Sequence, residues 1–311
     1  MAKQQHVQSE RSAAVNIYDA AGANRVRTVV LIGAFTVLVA GLGYVVGEYT
    51  APGGGIAIVP FAVGFSALSA AGSYFAGDKV VLGMSRARAL ADGEEPQLRN
   101  VVDALAIGSG LPAPKLYLID DTAPNAFATG RDPKHSSIAV TRGLIDKLDR
   151  TELEGVLAHE MSHIGNRDIR VMILVVVLVG TVALLADWVM RSMWWGGRRG
   201  RDRDRGGAIA LLAFALALVT PVIAALIQLA VSRQREYLAD ATGALLTRYP
   251  PGLASALRKI AADREPLEVA NKATASLYFA NPLKDRPAFF DGMFDTHPPI
   301  EERIRRLEAM G

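Results

Sequence analysis

The chain has 311 residues, of which 50% are hydrophobic and 7% aromatic, and its formal net charge is +3. So small a net charge gives no reason to expect nucleic-acid binding. Cysteine is absent, which excludes disulfides, thiolate metal ligands and a cysteine nucleophile. Any metal ion would therefore have to be held by His, Asp or Glu.

Two long apolar blocks stand near the N-terminus. Residues 29–46 and 55–77 carry no charged side chain, and each block is long enough to cross the hydrocarbon core as a helix. The short link between them, 47–54, is typical of a tight turn. We therefore predict a transmembrane helical hairpin over 29–77, preceded by a cytoplasmic tail of residues 1–28.

Two further apolar blocks, 171–186 and 208–230, form a second predicted hairpin over 171–230. The first block is short for a full span, and the second is long enough. The positive-inside rule places the tail and the main domain in the cytoplasm. If the second hairpin crossed the membrane, the Arg-rich loop 198–205 would lie outside, against the same rule. The second hairpin is therefore either transmembrane or membrane-associated, and both topologies stay open.

The remaining segments, 78–170 and 231–311, carry many charges of both signs. We interpret them as two halves of one domain in the aqueous phase, interrupted by the second hairpin. Short strands are predicted in the first half, where alternating or β-branched residues lie between turn residues: Lys115–Asp120, Asn125–Gly130 and Ser137–Thr141. A helix follows, and Thr151 with Glu154 predicts a capping box at its start.

The predicted helix contains the motif HExxH, as HEMSH at residues 159–163. Side chains at i and i+4 lie on one helical face, so His159 and His163 can bind one ion. Glu160 can take a proton from a metal-bound water as that water attacks a carbonyl, and can return it to a leaving amine. The motif also arises by chance, but here it lies on an amphipathic helix, as this chemistry requires.

A catalytic metal site of this type needs a third protein ligand and one open position. The extended pattern HExxHxxGxxH does not apply, because Asn166 and Ile169 stand at its last two defined positions. Glu236, on a second predicted helix, is the preferred candidate. Asp240, four residues later on the same face, can accept the other ring N–H of a ligating histidine. Asp168 is the competing ligand, although its angle from the histidine face is large.

A combined pattern extends over three segments: HEMSHIGNRD at 159–168, SRQREYLADATGA at 232–244 and HPPIEERI at 297–304. The strand Asn125–Gly130 and the two leading apolar blocks complete it. This pattern resembles the HtpX family of membrane zinc metalloproteases, which are related to the CAAX prenyl protease. The resemblance covers nearly the whole chain, with the Arg- and Gly-rich loop as a departure.

The resemblance implies a mainly α fold with a small β-sheet, in which a gluzincin-like zinc protease domain is attached to transmembrane helices. It implies one zinc ion per subunit, bound by His159, His163 and Glu236, with Glu160 as general base. It further implies stress-related quality control of misfolded or damaged membrane proteins. The expected location is the inner (plasma) membrane, multi-pass, with the active site facing the cytoplasm. Expected partners are protein substrates and the lipid bilayer, without nucleic acid.

Two further features are candidates for substrate handling. His297 lies in a Thr-His-Pro-Pro turn and can donate to the oxyanion of a tetrahedral intermediate; a helix cap and packing turn is the alternative. Asn125, Ala126, Phe127 and Ala128 can offer an open strand edge to which a peptide substrate adds. The alternative for these four residues is an ordinary interior strand.

Two other functions compete with a quality-control protease. One is a dedicated processing enzyme like the CAAX protease, which uses a chamber of more membrane helices than the four apolar blocks allow. The other is a non-catalytic membrane adaptor with a structural metal. A structural zinc has four closed protein ligands, whereas three good candidates are visible, and Glu160 would have no structural purpose.

Overall fold

The computed structural model describes residues 17–181, 233–270, 274, 277–282 and 298–310. Three predicted features lie outside the described residues: the apolar block 208–230, the Arg-rich loop 198–205 and His297. The interpretations given to these features stay predictions.

The described residues form a mainly helical fold with a small sheet. The elements are α1 Ile17–Thr50, α2 Gly54–Met84, β1 Arg88–Ala89, α3 Pro96–Ser109, β2 Lys115–Ile119, β3 Ala126–Gly130, β4 Ser136–Thr141, α4 Arg142–Lys147, α5 Arg150–Gly165, α6 (helical residues 168–181), α7 Arg233–Thr247, α8 Pro250–Ala262 and α9 Ile300–Glu308. This composition confirms the predicted fold class.

Helices α1 and α2 form a hairpin. Two stretches are long and apolar enough to cross a membrane, Gly22–Val45 and Gly54–Met84, as judged over the described part of the chain. A Cβ added to Gly47 would lie 2.6 Å from the carbonyl oxygen of Gly54, so glycine permits the close approach at the turn. Helix α1 begins at Ile17, well before the apolar block, and its first turns therefore extend beyond the apolar region.

Helix α6 follows α5 after a two-residue turn and packs against the hairpin. The contact between α6 and the hairpin is apolar and is lined by Leu31, Phe35, Val39, Ala62, Val171, Leu174, Val175 and Leu178. The first part of the third apolar block is thus a helix seated on α1 and α2. Its remaining residues, 182–186, are outside the described residues, so whether the block crosses the membrane stays open.

The sheet has four strands in the order β1-β2-β4-β3. Strands β2 and β4 are parallel, and the other two pairs are antiparallel. The three predicted strands match β2, β3 and β4 closely. Strand β3 stands at the edge of the sheet next to α5, with all five of its residues buried.

Helix α5 runs through the centre of the domain, and most of its residues are buried. Its N-cap is Asp149, which accepts from the amide of Glu152, while Glu152 accepts from the amide of Asp149. The capping box predicted at Thr151 and Glu154 was therefore wrong by two residues. Both pairs have the required spacing, but the helix begins at Arg150, and Thr151 instead donates its hydroxyl to Asp149 at 2.6 Å.

Candidate metal centre

The two histidines of the HExxH motif face each other on α5. Their Nε2 atoms are 3.1 Å apart, and the rings meet edge to face with centroids 4.8 Å apart. His159 is 0% exposed and His163 5%. The i, i+4 spacing thus places two nitrogen lone pairs at one point in the interior.

Glu236 reaches the same point from α7. Its Oε2 lies 3.7 Å from Nε2 of His159, and its Oε1 lies 3.7 Å from Nε2 of His163. The ligand atoms of these three residues all lie within 4.8 Å of one another. The third-ligand candidate on the second helix is therefore brought to the histidines.

Gly243 allows α7 to approach α5 this closely. A Cβ at Gly243 would lie 2.9 Å from the backbone nitrogen of His159. Glu236, Asp240 and Gly243 follow one another at spacings of four and three along α7, so all three share the face turned to α5. This contact fixes the distance between the carboxylate of Glu236 and the histidines.

The second ring nitrogen of each histidine is held by a carboxylate. Asp240 Oδ1 accepts from His159 Nδ1 at 2.9 Å, as the sequence predicted. Asp168 Oδ2 accepts from His163 Nδ1 at 3.1 Å. With a metal ion bound, each imidazole would keep its proton on Nδ1, facing its carboxylate, and would offer its Nε2 lone pair to the ion.

Asp168, the competing candidate for third ligand, lies outside the three-residue cluster. Helix α5 ends at Gly165, and Arg167 adopts a left-handed conformation with φ 60. This turn moves Asp168 away from the position it would have on a continuous helix. It therefore lies behind the ring of His163, outside the three-residue cluster.

Arg303 on α9 completes the surroundings of His159, and sequence reasoning assigned it no role. Its Nε donates to Asp240 Oδ2 at 2.8 Å and its Nη2 to Asp240 Oδ1 at 2.7 Å. Arg303 is 0% exposed, and its guanidinium lies 4.8 Å from the ring centroid of Phe279. A charged residue on the buried face of an amphipathic helix was the available sequence signal, but its partner is 63 residues away in the chain.

Burial and the neighbouring charged partners act in opposite directions on the pKa values of His159, His163 and Asp240. Burial lowers the pKa of His159 to about 4, against the effect of Asp240. Burial also acts to lower the pKa of His163, but its hydrogen bond to Asp168 and the charge of Glu236 raise it to about 9. Burial opposes ionisation of Asp240, yet the Arg303 charge lowers its pKa to about 2.

Glu160 is buried beside the cluster. Burial raises its pKa to about 7, and the charge of Glu236 adds to this, while the nearby His163 and a hydrogen bond from the backbone N–H of Ala128 act in the other direction. A carboxylate with a pKa near neutrality can exchange a proton during a reaction. The base candidate thus lies between the histidine cluster and strand β3.

The edge of β3 that faces away from β4 is paired with other described residues along only part of its length. At one end, Ala126 accepts from the backbone N–H of Phe279 at 2.8 Å. The Asn125 side chain donates to Ala280 O at 3.0 Å and accepts from Ala280 N at 3.2 Å. Further along, Ala128 lies close to Glu160. Two of the four substrate-strand candidates are thus already paired with residues 279–280, and the stretch at Ala128 faces the base candidate.

The three-residue cluster fits a tetrahedral metal ion. Ligand atoms about 2.1 Å from such an ion lie about 3.4 Å from one another. The two histidine nitrogens are 3.1 Å apart, and each lies 3.7 Å from a carboxylate oxygen of Glu236, Oε2 for His159 and Oε1 for His163; with one ligand atom taken from each residue, the three atoms lie within 4.8 Å of one another. Two imidazole nitrogens and one carboxylate match the donor set of catalytic zinc sites, and both histidines already have the carboxylate partner that such ligands require.

Comparison with known families decides the identity. Residues 92–311 match the model described as peptidase family M48. The chain belongs to peptidase family M48. The matched region of this M48 chain contains the HExxH helix, Glu236 and Arg303, so every residue of the cluster lies within it.

Relatives of this M48 chain extend the match beyond the peptidase region. A protein named protease HtpX homolog from Tropheryma whipplei (strain TW08/27) is 44% identical over 295 residues, covering 95% of this chain and 99% of the relative. Another, from Dictyoglomus thermophilum, is 45% identical over 297 residues, covering 94% and 95%. These relatives confirm the resemblance to the HtpX family.

A solved structure shows the same fold. The crystal structure of S. mikatae Ste24p is similar with a TM-score of 0.50 and 18% identity, covering 94% of this chain and 67% of that one. At this identity the likeness concerns the fold alone. Membership of M48 shows that the chain is a metalloprotease with a metal cofactor. The two long apolar helices and the HtpX relatives indicate a membrane protein.

Proposed function

We propose that this chain is a membrane-bound, zinc-dependent endopeptidase that degrades misfolded or damaged membrane proteins. The observation that carries the proposal is the buried cluster of His159, His163 and Glu236, with Glu160 beside it. We assign the three clustered residues as the ligands of one zinc ion per subunit and Glu160 as the general base.

The reaction divides between the metal and the chain. Zinc, when bound, acts as a Lewis acid toward water and the scissile carbonyl. Glu160 takes the proton from the attacking water as the new C–O bond forms. When the C–N bond breaks, Glu160 returns that proton to the leaving amine, so no net proton is consumed at the base. Burial acts to raise the pKa of Glu160, which favours a carboxyl group that can hold the proton between the two transfers.

In this proposal Asp240 and Arg303 hold His159 in position and take no part in the proton transfer. Asp240 holds the ring of His159 by its Nδ1–H, and Arg303 keeps Asp240 ionised. A substrate strand would add to β3 near Ala128, which lies close to Glu160. Because β3 is buried, such a strand would have to displace part of its cover. His297 stays a candidate donor to the oxyanion.

The position of the cluster relative to the membrane helices supports membrane proteins as substrates. His163 is followed within five residues by Asp168, which opens α6, and α6 packs on α1 and α2. The cluster that we assign to zinc therefore lies near one end of the long apolar helices. We propose that this end is cytoplasmic and that the protein is multi-pass in the inner membrane, because the basic residues flank the first hairpin on this side.

We propose the following division of the chain: a cytoplasmic tail at 1–28, a transmembrane hairpin at 29–77, a first protease half at 78–170, a hydrophobic hairpin at 171–230 and a second protease half at 231–311. Helix α1 itself starts at Ile17, so it would carry part of the tail into contact with the protease domain.

The decisive experiment compares detergent-purified wild type with Glu160→Gln for hydrolysis of casein and of a misfolded membrane protein, with metal content measured on each sample. Glu154→Gln, on the same helix, is the matched control. We expect the wild type and the control to hold one zinc, to cut both substrates and to be stopped by a chelator. Glu160→Gln should hold zinc and lose activity by about two to four orders of magnitude. A zinc-loaded wild type that cuts neither substrate would contradict the proposal in favour of an adaptor or a narrowly specific processing enzyme.

A further inference from the structure

Asn24 is a buried polar residue at the start of the first membrane helix. It is 2% exposed and stands on the same face of α1 as Leu31 and Phe35, which pack on α6. Those two residues are 0% exposed and purely apolar. Asn24 is thus the polar end of an otherwise apolar contact between α1 and the rest of the molecule.

The Asn24 amide is bonded to the turn that follows the HExxH helix. Its Nδ2 donates to Asp168 Oδ1 at 2.7 Å and to the carbonyl oxygen of Asn166 at 3.0 Å. Its Oδ1 accepts from Nη1 of Arg27 at 2.9 Å. This last bond orients the amide, because it directs the NH₂ group, and not the oxygen, toward the carboxylate of Asp168.

The same carboxylate holds a proposed zinc ligand. Asp168 Oδ1 faces Asn24, and Asp168 Oδ2 accepts from Nδ1 of His163 at 3.1 Å. Asp168 is 1% exposed, and a buried carboxylate requires hydrogen-bond donors to stay in place. Arg235 comes only to 3.9 Å. Asn24 therefore supplies the short hydrogen bond from outside the HExxH segment that fixes this carboxylate.

We propose that Asn24 is a positioning residue for the metal site. Through the two hydrogen bonds that link Asn24 to Asp168 and Asp168 to His163, the position of the first membrane helix determines the orientation of one zinc ligand. It thereby affects the affinity of the site for the metal. Partners of ligating histidines change metal affinity by about 10- to 100-fold when removed. The inference rests on the proposed role of His163 as a zinc ligand.

The test measures zinc affinity of the full-length protein in detergent by competition with a chromogenic chelator, and the visible spectrum of the Co²⁺ form. Asn24→Ala should weaken zinc binding by about 10-fold and change the Co²⁺ spectrum. Asn24→Asp should weaken it further, because a second carboxylate would face Asp168. Thr36→Ala is the matched control on α1, since among the described residues its hydroxyl bonds only the Ile32 carbonyl of its own helix, and it should bind zinc like the wild type.

A double-mutant cycle separates positioning from a general effect on folding. In an Asp168→Ala background, Asn24→Ala should cause no further loss of zinc affinity, since the chain to His163 is already broken. The proposal is overturned if Asn24→Ala binds zinc normally, or if it causes the same loss with and without Asp168. A wild type that binds no zinc, or a His163→Ala variant that still binds it normally, would overturn the zinc assignment itself, which is a distinguishable result.

Discussion

Arg303 and Asp240 form a bidentate ion pair in the interior, directly behind the ring of His159. Two guanidinium nitrogens donate to the two carboxylate oxygens at 2.7 and 2.8 Å, and Asp240 also accepts from His159 at 2.9 Å. The pair joins α9, near the C-terminal end of the described chain, to α7, and the hydrogen bond with His159 extends the link to α5. Both the stability of the fold and the affinity of the site for metal should depend on such long-range contacts.

Removing the charge of Arg303 should destabilise the protein and weaken metal binding together. Arg303→Met would leave Asp240 buried without its cation, at a cost of about 3–5 kcal/mol. Arg303→Lys should recover only part of this, because an ammonium cannot make the paired bonds. Thermal unfolding and zinc affinity in detergent measure both effects. Arg305→Met, on the exposed side of the same helix, is the control, and equal losses in both variants would contradict the prediction.

Gly243→Ala should weaken metal binding even though alanine favours helices. The substitution gains about 1 kcal/mol of helix propensity, but the new methyl group would lie 2.9 Å from the nitrogen of His159. Helix α7 would be pushed from α5, and Glu236 would move away from the histidines. Zinc competition measures the loss. Gly72→Ala on α2, with nothing within 4 Å of the added atom, should bind zinc normally; unchanged binding by Gly243→Ala would show that the helices adjust.

Stability should depend on pH through Glu152 at the start of α5. Burial acts to raise its pKa, but hydrogen bonds from Lys259 at 2.6 Å and Ser255 at 2.7 Å lower it below its usual range. A carboxyl with a lowered folded-state pKa stabilises the fold fully above its unfolded pKa, and this stabilisation is lost as the pH falls through the folded value.

Glu152→Gln should therefore lower the melting temperature relative to wild type by more at pH 7 than below pH 4. Differential scanning calorimetry in detergent, at both pH values, is the measurement. Glu154→Gln, two residues on and only partly buried, should change the melting temperature less at pH 7. A Glu152→Gln difference that stays constant or grows in acid would contradict the assigned sign.

The proposed topology can be tested with single cysteines, because the chain contains none. Ala51→Cys lies in the exposed link between α1 and α2, and Glu301→Cys lies on the exposed side of α9. A membrane-impermeant maleimide should label Ala51→Cys in spheroplasts and Glu301→Cys only after the membrane is opened. Labelling of Glu301→Cys in intact spheroplasts would place the protease domain outside.

Structural features that depend on residues close together in the sequence were predicted well. The first two apolar blocks, the strands β2 to β4 and the shared face of the HExxH histidines depend on residues that are close in the sequence, and each matched the structure closely. The capping box was misplaced because two overlapping pairs have the same spacing, and the choice between Asp149 and Thr151 depends on where the helix begins. For the same reason the angle assumed for Asp168 was wrong: it presumed a helix that continues past Gly165.

The sequence by itself determined the family, and it was enough to propose the two histidines as ligands, Glu160 as the base and Glu236 as the preferred third ligand. Only the tertiary structure decided what holds those residues in place. Arg303 and Asn24 come from opposite ends of the chain, and each is directed to a carboxylate behind a histidine. A local sequence pattern cannot identify such partners. A buried carboxylate needs a hydrogen-bond donor, but the packing of helices that are distant in the sequence determines which residue supplies it.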